Sequence, residues 1–231
     1  MRARLPVLLA AFLLVSATPA PAQVGTQLLP RPDEGNTRAG SRGANFLEIG
    51  VGARAMGLGG AFVALSDGPS ALYWNPSGIA LEPRFGAMVS VNDLYGDFGL
   101  THVFGGVVLP LGVGAVGFSV TQLSSGDILR TTENFPEGND PAFGRTFEWT
   151  SVAFGLTYAR RVTDRLVVGV TGKYVQEGIE DARAQYFGGD VGVNFRTGLL
   201  GTTLGASLLH VGSSGTFEGP LLRRIVLEAG G

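Results

Sequence analysis

Residues 113–123 read VGAVGFSVTQL, and residues 149–159 read WTSVAFGLTYA. In both stretches, large apolar side chains alternate with glycine, alanine, serine and threonine. A period of two predicts β-strands, because successive side chains of a strand point to opposite faces of the sheet. One face of each predicted strand is therefore large and apolar, and the other is small or polar. The large set is Val116, Phe118, Val120, Val152, Phe154, Leu156 and Tyr158.

The same alternation recurs from residue 84 to the end of the sequence and predicts about eight strands. Most of them reach the roughly 9–11 residues that a tilted strand needs to cross a membrane. The predicted strands are 84–92, 97–109, 113–124, 147–160, 165–177, 186–196, 202–211 and 221–229.

Short connections between these strands alternate with longer, more polar ones. The short ones are 110–112, 162–164 and 197–201, and the long ones are 125–146, 178–185 and 212–220. Short periplasmic turns and long extracellular loops are typical of outer-membrane barrels. We therefore expect an all-β fold, a transmembrane antiparallel β-barrel. A soluble β-sandwich also alternates, but it does not need such long strands or this alternation of loops.

Composition supports a membrane strand protein and excludes several function classes. Glycine occurs 37 times, and charged residues make up 16% of the chain, against about a quarter in typical domains. Beyond residue 22 there is no run of 18 apolar residues that could form a membrane helix. The absence of cysteine excludes disulfides and thiolate metal sites. The net charge of −2 argues against nucleic acid as a partner.

Residues 1–22 have the pattern of a secretory signal peptide. Arg2 and Arg4 precede an apolar stretch, and Ala20-Pro21-Ala22 provides a small-x-small cleavage site. The alternative is an N-terminal anchor helix, but the apolar stretch is shorter than the roughly 20 residues that span a bilayer. Residues 23–45 are polar and rich in proline and glycine, which predicts a flexible leader.

Residues 46–83 differ from the strands that follow them. Residues 46–65 read FLEIGVGARAMGLGGAFVAL, and residues 66–78 read SDGPSALYWNPSG. Five glycines disfavour one ordinary helix, so we expect short helical pieces that pack tightly against another element. Gly57, Gly59 and Gly60 are expected to permit close backbone approach. The Asn75-Pro76 pair predicts a turn.

Residues 46–64 and 70–80 closely resemble the PorV/PorQ family, which belongs to the FadL-like group of outer-membrane barrels. The turn at 109–112 and the segment 165–174 agree with the family in style. The resemblance implies a small N-terminal helical plug inside a 14-stranded barrel, with Ser77 where the group has alanine. The implied plug motif is Arg54, Met56, Gly57, Gly59, Gly60, Trp74, Asn75, Pro76 and Gly78.

The plug is expected to pack against small inward-facing residues such as Gly117, Ser119, Gly155 and Thr157. Asn75 has two interpretations: it sets a rigid turn through its own backbone, or its turn anchors the plug and shapes a conduit. Eight strands enclose an interior that side chains just fill, with no room for a plug. The end of the sequence also lacks the terminal aromatic residue common in such barrels. We therefore expect an incomplete barrel, truncated at its C-terminus.

The resemblance implies two roles in the bacterial outer membrane and does not separate them. The first is a surface component of type IX-like protein secretion, whose partners would be secreted proteins or secretion-system components. The alternative is a FadL-like channel for the uptake of hydrophobic small molecules. Either protein would contact outer-membrane lipid, and neither is an enzyme or needs a cofactor.

The other groups of polar and titratable residues in the sequence do not favour a catalytic or metal site. His102 and His210 lack metal-ligand spacing, residues 57–60 lack the ending of a phosphate loop, and no nucleophile elbow occurs. A carboxylate cluster in a predicted loop could bind Ca²⁺ or simply be solvated; it comprises Glu177, Glu180 and Asp181. Four polar residues on the small face could tune passage or hydrate the interior; they are Lys173, Asp190, Asn194 and Arg196.

Overall fold

The computed structural model describes residues 43–82, 84–96, 99–141 and 144–219. The predicted signal peptide, residues 23–42 of the predicted leader and the predicted strand 221–229 lie outside these ranges. The described strands are β1 (Gly86–Leu94), β2 (Leu100–Leu111), β3 (Gly114–Ser124), β4 (Ile128–Leu129), β5 (Thr146–Phe147), β6 (Trp149–Arg161), β7 (Leu166–Ile179), β8 (Ala182–Arg196) and β9 (Thr203–Gly212).

Seven of these strands form one antiparallel sheet in the order β1-β2-β3-β6-β7-β8-β9. Strands that follow one another in the chain pair with each other, except that the small β4–β5 hairpin interrupts the connection from β3 to β6. Within the described residues β1 and β9 are the edge strands, and the sheet is not closed. Seven of the eight predicted strands are thus confirmed, and the eighth lies outside the described residues.

The two faces of the sheet are those that the alternation predicts. Phe118, Phe154 and Leu156 are 50%, 42% and 63% exposed, whereas Ser119 and Thr157 between them are buried. We call the face with the large exposed side chains the outer face, and the opposite one the inner face. The large side chains do not pack in a two-sheet core, as a β-sandwich would require.

The predicted long loop at 178–185 is wrong. Strands β7 and β8 continue through it and leave only residues 180–181 as a turn. The polar residues of this stretch concealed an alternation, because Arg183 and Gln185 are exposed while Ala182, Ala184 and Tyr186 are buried. The regular alternation of short and long connections therefore fails at this position.

Residues 43–82, here called the N-terminal segment, lie on the inner face. They form the short helices η1 (Asn45–Glu48), α1 (Ala53–Gly57), η2 (Gly68–Ser70), α2 (Ala71–Trp74) and η3 (Pro76–Ala80). None of the helices in the described ranges is long and apolar enough to span a membrane.

Two apolar clusters join the N-terminal segment to the sheet. In one, Leu72 and Ile79 pack with Phe104 and Val108 of β2. In the other, Phe46 packs near one end of the strands; its cluster comprises Phe46, Leu47, Leu123, Ala153, Val175, Ala184 and Tyr186. The predicted short helical pieces packed against another element are confirmed.

The two ends of the sheet differ in their connections. The turn end carries residues 112–113, 162–165 and 197–202, together with residues 81–82 and 84–85 before β1. The loop end carries the described residues 95–96 and 99, 125–141 and 144–148, the turn 180–181, and residues 213–219 after β9.

Candidate functional site

The turn at Asn75 holds the N-terminal segment to the sheet. The Asn75 side chain is fully buried, and its amide nitrogen donates to the carbonyl oxygens of Val63 at 3.0 Å and Val193 at 3.2 Å. Its Oδ1 accepts from the backbone N–H of Ser77 at 3.2 Å and from the Ser77 hydroxyl at 2.8 Å. Asn75 therefore sets a local turn and also binds strand β8, while the role of this turn in shaping a conduit stays a prediction.

A second amide on β8 extends this contact. Asn194 donates from Nδ2 to the hydroxyl oxygen of Ser77 at 3.0 Å, while its Oδ1 is buried without a hydrogen-bond partner. Pro76 begins η3, where the missing N–H of proline costs nothing. Asn75, Ser77 and Asn194 thus form one buried chain of polar groups between the segment and the sheet.

Strand glycines make this close approach possible. A Cβ at Gly169 would overlap the backbone of Pro76 and Ser77, and a Cβ at Gly192 would overlap Oδ1 of Asn75. Gly117 likewise leaves room for the side chain of Leu72. Of the inward-facing residues expected to contact a plug, Gly117 does so, whereas Gly155 faces Ser119 and Thr171 of its neighbouring strands.

The glycines of the N-terminal segment have a different role from the one expected. A Cβ at Gly57 or Gly59 would meet nothing within 4 Å, so close packing does not explain them. Gly59 and Gly60 have φ of 62° and 79°, which favours glycine at the end of α1. Close packing does apply at Gly78, where a Cβ would overlap the Ser66 carbonyl, and at Gly43 and Gly50, where it would overlap the side chains of Tyr186 and Met56.

The remaining motif residues lie around Trp74. Trp74 donates from Nε1 to the carbonyl oxygen of Val51 at 2.9 Å, and its ring packs edge-on against Phe62 at 6.1 Å. Arg54 lies over the same Phe62 ring at 5.2 Å and forms an exposed ion pair with Asp67 at 3.5 Å. Met56 is exposed. These residues around Trp74 therefore serve mainly the internal packing of the segment.

Lys173 and Asp190 meet on the inner face of the sheet, and His210 lies beside them. The sequence did not predict that His210 belongs to this group. Lys173 Nζ lies 2.7 Å from Asp190 Oδ2 and 3.0 Å from His210 Nδ1, and the Lys173 side chain is only 8% exposed. Asp190 also accepts from the backbone N–H of His210 at 2.8 Å. A bulge between β8 and β9 at Asp190 brings the three together. Arg196 follows Asn194 by two residues on the same face of β8 and lies exposed at the end of the strand.

Tyr73 contacts this cluster from the N-terminal segment. Its ring centroid is 6.3 Å from that of His210, and its hydroxyl donates to the Leu47 carbonyl at 2.8 Å. Burial raises the pKa of Tyr73 above its ordinary value of 10.0, and the charges of Glu48 and Asp190 raise it further. Tyr73 is therefore a neutral donor at physiological pH.

The three carboxylates considered for Ca²⁺ do not form a cluster. Glu177 lies on β7, buried, and accepts from the backbone N–H of Ala44 at 3.0 Å. Glu180 pairs with Arg130, and Asp181 is exposed in the turn. No group of three or more potential metal ligands occurs in the described ranges.

Comparison with known proteins does not show a family for this chain. No protein-family profile and no curated protein sequence matches the chain. The resemblance to the PorV/PorQ family stays a prediction from the quoted residues.

Proposed function

We propose that this chain is an outer-membrane β-barrel protein of the PorV/PorQ type that serves a type IX-like secretion route. The observation that carries the proposal is the outer face, where the large apolar side chains of seven neighbouring strands are exposed together. A contiguous apolar surface of this extent marks an interaction with membrane or protein. Its regular inside-out alternation is typical of strands that face lipid.

The height of the apolar band supports a membrane location. At the loop end a mostly polar row crosses the outer face: Gln122, Gln176 and Gln185 lie in one row with Val152 of β6. At the turn end Arg160 closes the band on β6. Eight residue steps from Val152 to Arg160 span about 26 Å along the strand. A tilt of about 40° reduces this to about 20 Å, near the roughly 25 Å apolar band of outer-membrane barrels.

The inner face favours the secretion role over passage of hydrophobic molecules. Its buried positions include the Lys173–Asp190 ion pair, and the N-terminal segment covers it with hydrogen-bonded polar groups. A route for apolar solutes would need an apolar lining past the segment. The 24-residue connection 125–148 at the loop end offers a surface for protein partners.

The membrane location can be tested with single cysteines, since the chain has none of its own. Cysteines at 154, 156 and 158 carry an environment-sensitive fluorophore, and cysteines at 153, 155 and 157 are the matched inner-face set. In lipid vesicles containing quencher-labelled acyl chains, we expect quenching only of the first set. Equal quenching of both sets, or of neither, contradicts a membrane-spanning sheet.

The role can be tested by deleting the gene. We expect a changed set of secreted proteins and normal growth on long-chain fatty acids. Restoration by the intact gene is the control. A normal secretome with impaired fatty-acid growth contradicts the secretion role and supports the channel.

A further inference from the structure

The turn end carries a cleft that combines arginine side chains with exposed apolar walls, and that is also lined by the Asp164 carboxylate and by Ala80. It has a volume of about 410 Å³ and lies between the β2–β3 and β6–β7 turns. Arg160 is the outward-facing guanidinium, and Leu111, Val113 and Val162 are exposed apolar walls. A guanidinium beside exposed apolar groups matches a molecule with an anionic group and an apolar chain.

Backbone geometry keeps the cleft open. Leu111, Gly114 and Arg160 are neighbours in one row across β2, β3 and β6. Gly114 has no room for a side chain, because a Cβ there would overlap the Ala159 carbonyl. No side chain therefore fills the space between Leu111 and Arg160. Arg161, on the opposite face of the strand, is held by a 2.8 Å hydrogen bond to the Leu81 carbonyl.

Arg160 is available for an external anion. It forms no ion pair with another described residue. Two residues earlier on the same outer face lies Tyr158, partly exposed. An aromatic residue next to a cation at the edge of an apolar band is typical of a membrane–water interface, where the ring lies at headgroup level.

The charges of the two sheet ends differ in sign. The described turn end, at 81–82, 84–85, 112–113, 160–165 and 196–202, has five arginines and two carboxylates: Arg84, Arg160, Arg161, Arg165 and Arg196 against Glu82 and Asp164. The described loop end, at 93–96, 99, 125–141, 144–148, 180–183 and 213–219, has the reverse balance: Asp93, Asp127, Glu133, Glu137, Asp140, Glu148, Glu180, Asp181 and Glu218 against Arg130, Arg145 and Arg183.

We propose that the turn-end cleft binds the phosphate headgroup of an anionic phospholipid, with Arg160 on the phosphate and the lipid chain along Leu111, Val113 and Val162. Arginine suits phosphate because its planar fork makes two parallel charge-assisted hydrogen bonds. The basic turn end attracts anionic headgroups, and the acidic loop end repels them. This inference rests on the proposed membrane location.

The test uses the full chain with a fluorophore at Leu109→Cys, in vesicles of phosphatidylcholine with or without phosphatidylglycerol. Leu109 is exposed on the outer face two residues before Leu111 and does not line the cleft. Quenching by brominated acyl chains on one lipid or the other reports which lipid lies beside the cleft. We expect phosphatidylglycerol to be enriched there about fivefold, the effect of roughly one arginine contact near a membrane surface. Arg160→Gln should remove most of the enrichment, and Arg160→Lys should keep part of it.

Arg183→Gln is the matched control, because it removes the same charge at the loop end of the same sheet. Equal loss of enrichment in Arg183→Gln and Arg160→Gln overturns the proposal in favour of general charge attraction. Unchanged enrichment in Arg160→Gln also overturns it, as does competition by soluble glycerol phosphate, which would indicate a site for a free anion. Insertion into phosphatidylcholine vesicles without lipid selectivity contradicts this inference alone. Failure to insert into any vesicle contradicts the proposed membrane location and this inference with it.

Discussion

Strand β6 shows how sharply the two faces of this sheet differ. Leu156 and Phe154 project outward and are exposed, while Thr157 and Ser151, on the same strand, are completely buried. In water this arrangement is unfavourable, because burying a leucine or phenylalanine side chain stabilises a protein by about 1.5–3 kcal/mol. The difference between the faces is the one that the proposed membrane location predicts.

The strongest test of the difference between the two faces is to place a charge on the outer face. Leu156→Arg should destabilise the protein in lipid vesicles by about 2–4 kcal/mol, the cost of arginine at the bilayer midplane. Urea unfolding in vesicles measures it. Gln185→Arg, in the polar row of the same face, is the control and should cost about 1 kcal/mol or less. A change within about 0.5 kcal/mol for Leu156→Arg, as at ordinary exposed sites, would contradict a lipid-facing surface.

The inner face can be tested at Asn75. Asn75→Ala leaves the carbonyl oxygens of Val63 and Val193 without this donor, in a buried place. Unsatisfied buried groups of this kind should lower the free energy of unfolding by about 2–3 kcal/mol. Limited proteolysis should then cut the N-terminal segment before the sheet. If the segment stays as protected as in the wild type, Asn75 does not hold it.

Substitutions at two glycines of β7 allow a direct comparison of the two faces. Gly169→Ala places a methyl group against Pro76 and Ser77, and we expect a loss of about 1–3 kcal/mol from overpacking. Gly172→Ala, on the outer face, meets nothing within 4 Å and should be nearly neutral. Thermal unfolding of both variants gives the comparison. Equal effects would mean that the segment does not pack on Gly169 as described.

Tyr73 gives a pH-dependent test of the inner face. Its raised pKa means that the unfolded chain loses the phenol proton first, so the stability from Tyr73 is complete below pH 10 and falls above it. By pH 11 the wild type should lose about 1.4 kcal/mol that Tyr73→Phe does not lose. Urea unfolding of both proteins at pH 9 and pH 11 measures this. A difference that does not change with pH would place Tyr73 in contact with solvent.

The smallest effects are expected at the glycines of the N-terminal segment. Gly57→Ala, in α1 with open space around it, should stabilise the protein by about 0.5–1 kcal/mol. Gly59→Ala, at φ 62°, should destabilise it by at least as much, because alanine disfavours that backbone conformation. Thermal unfolding distinguishes the two signs. Losses in both variants would support the close packing first expected of these glycines.

The sequence predicted what depends on local periodicity. Strands β3 and β6 and the faces of Phe118 and Phe154 follow from a period of two. It could not predict contacts between distant residues, such as the close approach at Gly169 and Gly192, because nothing near those glycines shows what lies opposite.

The candidate site was predicted only in part, for the same reason. His210 joins Lys173 and Asp190 only because a bulge shifts β9 against β8. The turn at 180–181 was predicted as a loop because charged residues there resemble a solvated connection. Asn75 and Pro76 were found because an Asn-Pro pair signals a turn, but the bond to Val193 required the structure.

The hydrogen bond from Asn75 to Val193 joins residues 118 positions apart. The N-terminal segment precedes the sheet in the chain, yet its binding site on β8 exists only after six further sheet strands have been added. Contacts of such long range slow folding, since the chain loses conformational entropy before they form. Docking of the segment should therefore be a late step of assembly. Until then its polar groups and the glycine-lined inner face remain accessible to water, and this accessibility distinguishes the intermediate from the finished protein.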